Sequence, residues 1–308
     1  MAERTISWGP RGSHKLIGKE TTRLDGLDKA SGFAKYTADM NQEGTLYARL
    51  LTSKHGNAKI VRINVEPAKK IAGVHTVYLF KNEGDECKWD GDTVAAVAAE
   101  TADIAEDGVR AIEITFEELP HFVDEQDLEG ARAAKIGDKS VVREGLVDRT
   151  VGDPDKAIAE ADVVHEGYYG IHTISHMCLE PHGSHCTWND GDDGPRLTAR
   201  HSTQAVSTTG PQFAKSLGLD ASQVRVICNF IGGGFGSKFA ADEWGVAAAQ
   251  MSKDTGRPVR LLLDRPTELK TPGTRPSGFA KVTVAAKKNG LITAWKSHHW
   301  GTNGPQGG

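Results

Sequence analysis

Strand-like and helix-like patterns of hydrophobic residues alternate through the first 120 positions. Runs rich in β-branched and aromatic residues predict strands at 45–53, 74–80 and 112–119, and the run TVAAVAA at 93–99 predicts a buried strand. Helical patterns lie between them at 66–73 and 101–112, the first with Pro67 in its first turn and Gly73 at its end. This mixture predicts an α+β domain over residues 20–130.

Two stretches show little periodicity. Residues 1–19, rich in glycine, lysine and arginine, are interpreted as an extended arm. The charged stretch 124–152 is interpreted mainly as surface, with a linker at 131–152, and a helix at 127–134 is the alternative.

A second α+β region is predicted at 153–308. Its helices are predicted at 153–162, 208–218 and 240–256, and its strands at 163–176, 195–203, 223–231 and 257–264. Residues 279–300 predict a β-hairpin, because Asn289–Gly290 is a strong signal for a tight turn. The second hairpin strand runs into GTNGPQGG with no further element to cover it.

Composition excludes several classes of protein. The 308 residues suggest about two domains. With 37 basic and 41 acidic side chains, a formal charge of −4 gives no reason to expect nucleic acid or an anionic membrane as partner. The four cysteines form no C-x-x-C pair, which argues against an iron–sulfur cluster in this chain and favours a reducing cytoplasm. No apolar run is long enough to span a membrane.

The stretch IGGGFGSKF, residues 231–239, lies between a predicted strand and a predicted helix. It fails the Walker A pattern because Ser237 precedes Lys238, and it fails G-x-G-x-x-G because Ser237 occupies the last position. Glycines without Cβ atoms before a helix N-terminus suit contact with an anion or a cofactor. A tight turn without a ligand remains the alternative.

Several segments together resemble one family. GGGFGSKF is similar to the glycine–phenylalanine loop of the molybdenum hydroxylases, the xanthine dehydrogenase and aldehyde oxidase family. Further segments resemble other stretches of that family's molybdenum subunit, in the same order: 17–40, 176–183, 201–227 and 254–268. The resemblance covers nearly the whole chain.

The resemblance implies a fold, a cofactor and a site. Residues 20–130 would form an α/β hammerhead-like domain, and residues 153–308 the first, incomplete portion of a molybdopterin-binding α+β domain. The cofactor would be a molybdopterin, including its cytosine dinucleotide form, with no direct protein ligand to the metal. Gln204 would hydrogen-bond an oxygen ligand of molybdenum, and Gly233, Gly234, Phe235 and Gly236 would bind the cofactor. The reaction would hydroxylate an aldehyde or N-heteroaromatic carbon of a small-molecule substrate with oxygen from water.

Two departures from the family pattern narrow this expectation. Phe239 stands where purine-oxidising members have a glutamate, which makes it a candidate for an apolar substrate pocket, although Asp242 and Glu243 follow one turn later. The family's catalytic glutamate, in a GxGE-type context, is missing, and Glu180 matches a structural stretch. We therefore expect a second molybdopterin-binding chain or C-terminal half to complete the site, with 2Fe-2S and FAD on partner subunits.

Two other classes of function remain open. Six histidines lie within 165–201 beside Cys178 and Cys186, and His172–His176 or His182–His185 could bind zinc if they were on helices. The local pattern predicts strands, on which an i, i+4 pair is far apart. The third interpretation is a non-catalytic scaffold that keeps only the fold.

Overall fold

The computed structural model describes residues 9–135, 149–191, 194–302 and 304. Residues 1–8 of the predicted arm and 136–148 of the predicted linker lie outside the described residues, and so do a few positions of the region 153–308. Residues 9–19 form turns and bends.

The described residues contain helices and strands in alternation. The helices are α1 Gly26–Ser31, α2 Glu66–Lys69, α3 Ala102–Ala111, α4 Leu128–Ala134, α5 Pro154–Ala159, α6 Val206–Leu217, α7 Glu243–Thr255 and α8 Arg265–Glu268. The strands are β1 Leu46–Thr52, β2 Ala58–Asn64, β3 Val74–Leu79, β4 Glu86–Cys87, β5 Thr93–Ala99, β6 Glu113–Glu118, β7 Val163–Ile171, β8 Gly183–Trp188, β9 Leu197–His201, β10 Val224–Ile227, β11 Val259–Leu262, β12 Gly278–Ala286 and β13 Ile292–Trp300. In this part of the chain, no helix has the length and apolar character needed to cross a membrane.

One seven-stranded sheet joins the two predicted regions. Its order is β10-β9-β8-β11-β1-β5-β3, and two three-stranded sheets have the orders β4-β2-β6 and β13-β12-β7. Strand β1 pairs in parallel with β11, with Leu46 opposite Val259, and antiparallel with β5 on its other side. The α+β class is therefore confirmed, and the sheet continues across the predicted boundary between 20–130 and 153–308, which stays a prediction.

The alanine-rich strand β5 is buried on both faces, as its apolar run predicts. Ala96 and Ala98 lie in a core cluster with Trp244 of α7, whereas Ala95 and Val97 lie in a second cluster with Val109 of α3. Successive strand residues point to opposite faces, so one run of small side chains can serve two cores.

Several local predictions are confirmed and others shift. Strands β12 and β13 form the predicted hairpin, and Gly290 adopts φ 88° in its turn. The alternative helix within the charged stretch is present as α4. Strand β7 ends earlier than its prediction, at Ile171, and only Ile174 continues the pairing, as a single bridge to Arg275.

Candidate cofactor-binding site

Two of the loop glycines are required by close packing. A Cβ on Gly232 would lie 2.5 Å from the Cβ of Glu180, and a Cβ on Gly234 would lie 2.3 Å from Oε1 of Gln204. Two others are required by backbone conformation, because Gly233 and Gly236 both have φ +109°. The glycines therefore shape a loop that lies against side chains from other parts of the chain.

Gln204, three residues after β9, is joined to this loop by three hydrogen bonds. Its main-chain N–H donates to the Lys238 carbonyl at 2.7 Å. Its Oε1 accepts from the main-chain N–H groups of Gly236 at 3.0 Å and Lys238 at 3.3 Å. Two N–H donors identify that atom as the amide oxygen, so Nε2 is the remaining donor of the side chain. Within the described residues Nε2 has no partner, and the side chain is exposed.

Phe235 adopts a left-handed conformation that is uncommon for a bulky residue. Its φ is 52°, and the residue is 58% exposed. Strained backbone of this kind concentrates at functional sites. The structure thus presents an aromatic ring on the outside of a loop that is otherwise almost without side chains.

A buried ion pair supports the loop from below. Lys238 is fully buried, and its Nζ donates to the Glu180 carbonyl at 2.8 Å and lies 3.6 Å from Glu180 Oε2. The same Oε2 accepts from the main-chain N–H of Gly232 at 2.6 Å. Glu180 therefore connects both ends of the glycine run, and this structural contact does not favour it as the catalytic base.

The end of the loop is fixed by a neutral histidine. Burial lowers the pKa of His201 to about 4, its Nε2–H donates to the Ala240 carbonyl at 2.9 Å, and the Ser184 hydroxyl donates to Nδ1. Asp242 lies behind it, with Oδ2 3.8 Å from His201 Nε2, and burial raises the pKa of its carboxyl. Asp242 thus packs on the buried side of the loop.

Phe239 directly follows the buried Lys238 and is 52% exposed. Its carbonyl accepts from Gln212 Nε2 at 3.4 Å, which ties it to α6. Glu243, the other carboxylate after the loop, is the first residue of α7 and is exposed. Phe239 and Glu243 are thus both exposed after the loop, and Phe239 is the apolar one of the two.

The histidines of 165–201 have separate partners. His172 Nδ1 lies 3.2 Å from Glu125 Oε1, His165 Nε2 lies 3.0 Å from the Tyr169 hydroxyl, and His182 Nδ1 lies 2.8 Å from Glu268 Oε1. Within the described residues, the possible metal ligands that come together are Cys178, His182 and Glu268. The Glu268 carboxylate already binds both Nδ1 and the main-chain N–H of His182, so these atoms form a hydrogen-bonded pair. The proposed pairs His172–His176 and His182–His185 are not brought together as ligand sets.

Besides the Glu180–Lys238 pair, sequence reasoning missed two side chains that lie beside the loop. Arg275 Nη1 donates to the Phe235 carbonyl at 2.9 Å. His176 lies below Gly236, where its Nε2 is 3.9 Å from the position of an added Cβ, and burial lowers its pKa. Arg275 lies 40 residues from Phe235, so no local spacing signals the contact.

These features fit a large cofactor that approaches main chain. Gly236 leaves space beside the main chain, since the nearest atom to an added Cβ there is His176 Nε2 at 3.9 Å. Gln204 Nε2 offers a neutral donor, and Phe235 adds an exposed ring. A neutral amide suits an oxygen ligand, because it donates a hydrogen bond without adding charge.

The comparisons with known proteins agree with this geometry. The family described as the molybdopterin cofactor-binding domain matches residues 138–307, and the aldehyde oxidase and xanthine dehydrogenase a/b hammerhead domain matches residues 31–86. The aldehyde oxidoreductase molybdenum-binding subunit PaoC of Escherichia coli K12 is 29% identical over 95% of this chain, which spans 41% of the length of that relative.

Two further similarities concern other members. The nicotinate dehydrogenase large molybdopterin subunit of Eubacterium barkeri is 29% identical over 94% of this chain and 71% of its own length. The crystal structure of quinoline 2-oxidoreductase from Pseudomonas putida 86 superimposes with a TM-score of 0.78 at 22% identity, over 92% of this chain and 39% of that one. The second similarity is evidence for the fold alone.

Proposed function

Since the chain belongs to the molybdenum hydroxylase family, we propose that it forms the first part of a molybdopterin-binding catalytic unit. The unit would hydroxylate an aldehyde or N-heteroaromatic carbon. When bound, the cofactor would supply the redox-active metal for inserting an oxygen atom from water. The relatives named for aldehyde oxidation and for nicotinate support these two substrate classes.

The observation that carries this proposal is the orientation of the Gln204 carboxamide. Its oxygen is held by two loop N–H groups, so its Nε2 is left to donate to a ligand. We propose that this group contacts an oxygen ligand of the metal, while Gly233, Gly234, Phe235 and Gly236 hold the cofactor through main chain and the exposed ring.

Phe239 is proposed to line the substrate pocket. Its exposed ring follows the loop directly and carries no charge. An apolar wall favours an aldehyde or an apolar ring over a polar purine, because burying a polar group without a partner is unfavourable. Phe239 would also exclude water from the reacting carbon.

A second chain or segment is proposed to complete the unit. One face of the sheet β13-β12-β7 presents five exposed apolar side chains: Val163, Tyr169, Ile171, Ile292 and Trp295. Trp295 is 61% exposed. Surfaces of this kind mark sites of protein–protein contact. The chain also spans less than half the length of the first relatives that it matches.

We propose that 2Fe-2S and FAD subunits carry the electrons away, because the four cysteines of this chain are free thiols in the structure.

The proposal is tested in the complex of this chain with its native partner chains. Molybdenum by mass spectrometry and pterin by fluorescence should be present in stoichiometric amount. Gln204→Ala should lower turnover by about 100-fold, the usual effect of losing one hydrogen-bond donor in an active site, with the molybdenum content kept. Gln250→Ala on α7 is the control, because among the residues that the structure describes this glutamine side chain bonds Asp254 alone, at the surface.

Each outcome separates the alternatives. Unchanged turnover in Gln204→Ala would remove this residue from the site. A wild-type complex without molybdenum and pterin would favour the non-catalytic scaffold, and zinc in their place would favour the metal-binding alternative.

A further inference from the structure

The peptide between Phe235 and Gly236 needs external support. Phe235 has φ 52° and Gly236 has φ +109°, so two consecutive residues lie in the left-handed half of conformational space. The Phe235 residue is 58% exposed, and its ring edge lies against Gly233 of the same loop, so the ring does not anchor the loop to another segment. A bulky residue keeps such a conformation only where surrounding contacts determine it.

Two side chains hold the two ends of this one peptide unit. Arg275 Nη1 donates to the Phe235 carbonyl at 2.9 Å, and the Gly236 N–H donates to Gln204 Oε1 at 3.0 Å. The carbonyl and the N–H belong to the same planar peptide, so fixing one end fixes the direction of the other. The orientation of the Gln204 carboxamide is thereby linked to Arg275.

Arg275 is itself anchored by main chain. Its N–H donates to the Ile174 carbonyl at 2.8 Å, and the two residues form a β-bridge just before β12 begins. Pro276 follows, which favours an extended conformation at Arg275. Within the described part of the chain, the guanidinium has no carboxylate partner, and its hydrogen bond goes to Phe235. The charged, planar guanidinium therefore donates its hydrogen bond to a single carbonyl, that of Phe235.

We propose that Arg275 is a positioning residue that fixes the Phe235–Gly236 peptide and, through it, aims the Nε2 of Gln204 at the cofactor. The second part of this inference rests on the proposed function, whereas the first concerns the loop alone. Arginine suits the task because its hydrogen bond to a carbonyl is charge-assisted and its donors have fixed geometry. A lysine would supply charge without that geometry.

The clamp is tested first on the full chain without cofactor, by hydrogen exchange and mass spectrometry of peptides that span 232–239. Arg275→Ala should accelerate exchange there by about tenfold or more, the effect of losing a charge-assisted hydrogen bond. Added guanidinium at low millimolar concentration should reverse part of this acceleration in Arg275→Ala. Arg257→Ala is the matched control, because Arg257 Nε also donates to an exposed carbonyl, that of Gly44, at 2.8 Å. Equal exchange in wild type and Arg275→Ala would overturn the clamp.

The consequence for Gln204 is tested in the complex with the partner chains. Arg275→Ala should keep its molybdenum within twofold, lower kcat by about tenfold with little change in KM, and alter the Mo(V) electron paramagnetic resonance spectrum. Arg275→Lys should recover only part of kcat, and Arg257→Ala should show the wild-type spectrum. An unchanged spectrum and kcat would refute the aiming of Gln204. Altered exchange in a complex that contains no molybdenum would instead support the clamp and reject the proposed function.

Discussion

Gly234→Ala tests whether the loop and Gln204 form one unit. Gly234 is not among the glycines with positive φ, so alanine can adopt its backbone conformation. The added methyl group would lie 2.3 Å from Gln204 Oε1 and 2.6 Å from Cγ, and the glutamine side chain must therefore move away. This movement breaks the bonds from Gly236 and Lys238, each worth about 0.5–1.5 kcal/mol, so we expect a loss of about 1–3 kcal/mol in unfolding free energy.

A double-mutant cycle distinguishes this cause from general damage. Gln204→Ala removes Oε1 and Cγ, and it should itself cost about 1–3 kcal/mol for the same two bonds. In that background the added methyl group no longer meets the three glutamine atoms nearest to it. Gly234→Ala should then be neutral or stabilising by up to about 1 kcal/mol, because alanine restricts the unfolded chain. The coupling energy, the difference between the effects of Gly234→Ala in the two backgrounds, should thus be about 1–4 kcal/mol.

Urea unfolding monitored by circular dichroism measures all four variants. Gly210→Ala is the control, since its Cβ would lie an ordinary 3.8 Å from Val226 in the middle of α6. It should be neutral or slightly stabilising. If Gly234→Ala cost the same with Gln204 and with Ala at position 204, the direct packing of Gln204 on Gly234 would be refuted.

Three further predictions address the ion pair, the buried histidine and the substrate pocket. Lys238→Met should lower the unfolding free energy in urea by about 3–5 kcal/mol, because it leaves the buried Glu180 unpaired; a loss below about 1 kcal/mol would contradict that role. Burial lowers the pKa of His185 to about 4, so the unfolded chain takes up the proton first and stability should fall between pH 6.5 and pH 4. The loss of unfolding free energy over this pH range should be larger in the wild type than in His185→Gln, by up to about 3 kcal/mol. Equal pH profiles of the two proteins in thermal unfolding would disprove this role of His185. Phe239→Ala should raise KM for an apolar aromatic aldehyde by about tenfold at unchanged molybdenum content, and steady-state kinetics showing no rise would remove Phe239 from the pocket.

Elements with a local signal are predicted well from the sequence. The run at 93–99 predicts β5, because seven consecutive apolar or small residues can be buried on both faces. The hairpin of β12 and β13 is predicted because Asn289–Gly290 determines its turn locally. In both cases the physical cause lies within a few neighbouring residues.

Elements that depend on distant partners are not predicted. Strand β8, GSHCTW, has no apolar run, yet it is an interior strand of the seven-stranded sheet, between β9 and β11. Its polar side chains Ser184 and His185 are buried because His201 and Thr45 provide hydrogen-bond partners. Similarly, α7 begins at Glu243, later than predicted, because Asp242 has φ 53° and cannot continue a helix toward the loop.

The residues of the candidate site likewise fall into those that the sequence indicates and those that it does not. The glycines and Gln204 are found through the resemblance, since they belong to continuous motifs. Arg275 and the Glu180–Lys238 pair are not found, because their partners lie 40 and 58 residues away in sequence. Only the pairing of strands brings these segments to one corner.

The geometry of this corner bears on the choice that the glycine loop leaves open in the sequence, between a tight turn and a ligand site. A turn without a ligand needs only suitable φ angles and hydrogen bonds within itself. This loop instead has its polar groups held by Gln204, Glu180 and Arg275 from three other segments. The same contacts leave the Gln204 amide and the Phe235 ring facing outward, where burial would stabilise the fold if stability were the only need. A rigid loop that keeps a donor and an aromatic ring exposed is preorganised for a ligand, and this favours the cofactor interpretation.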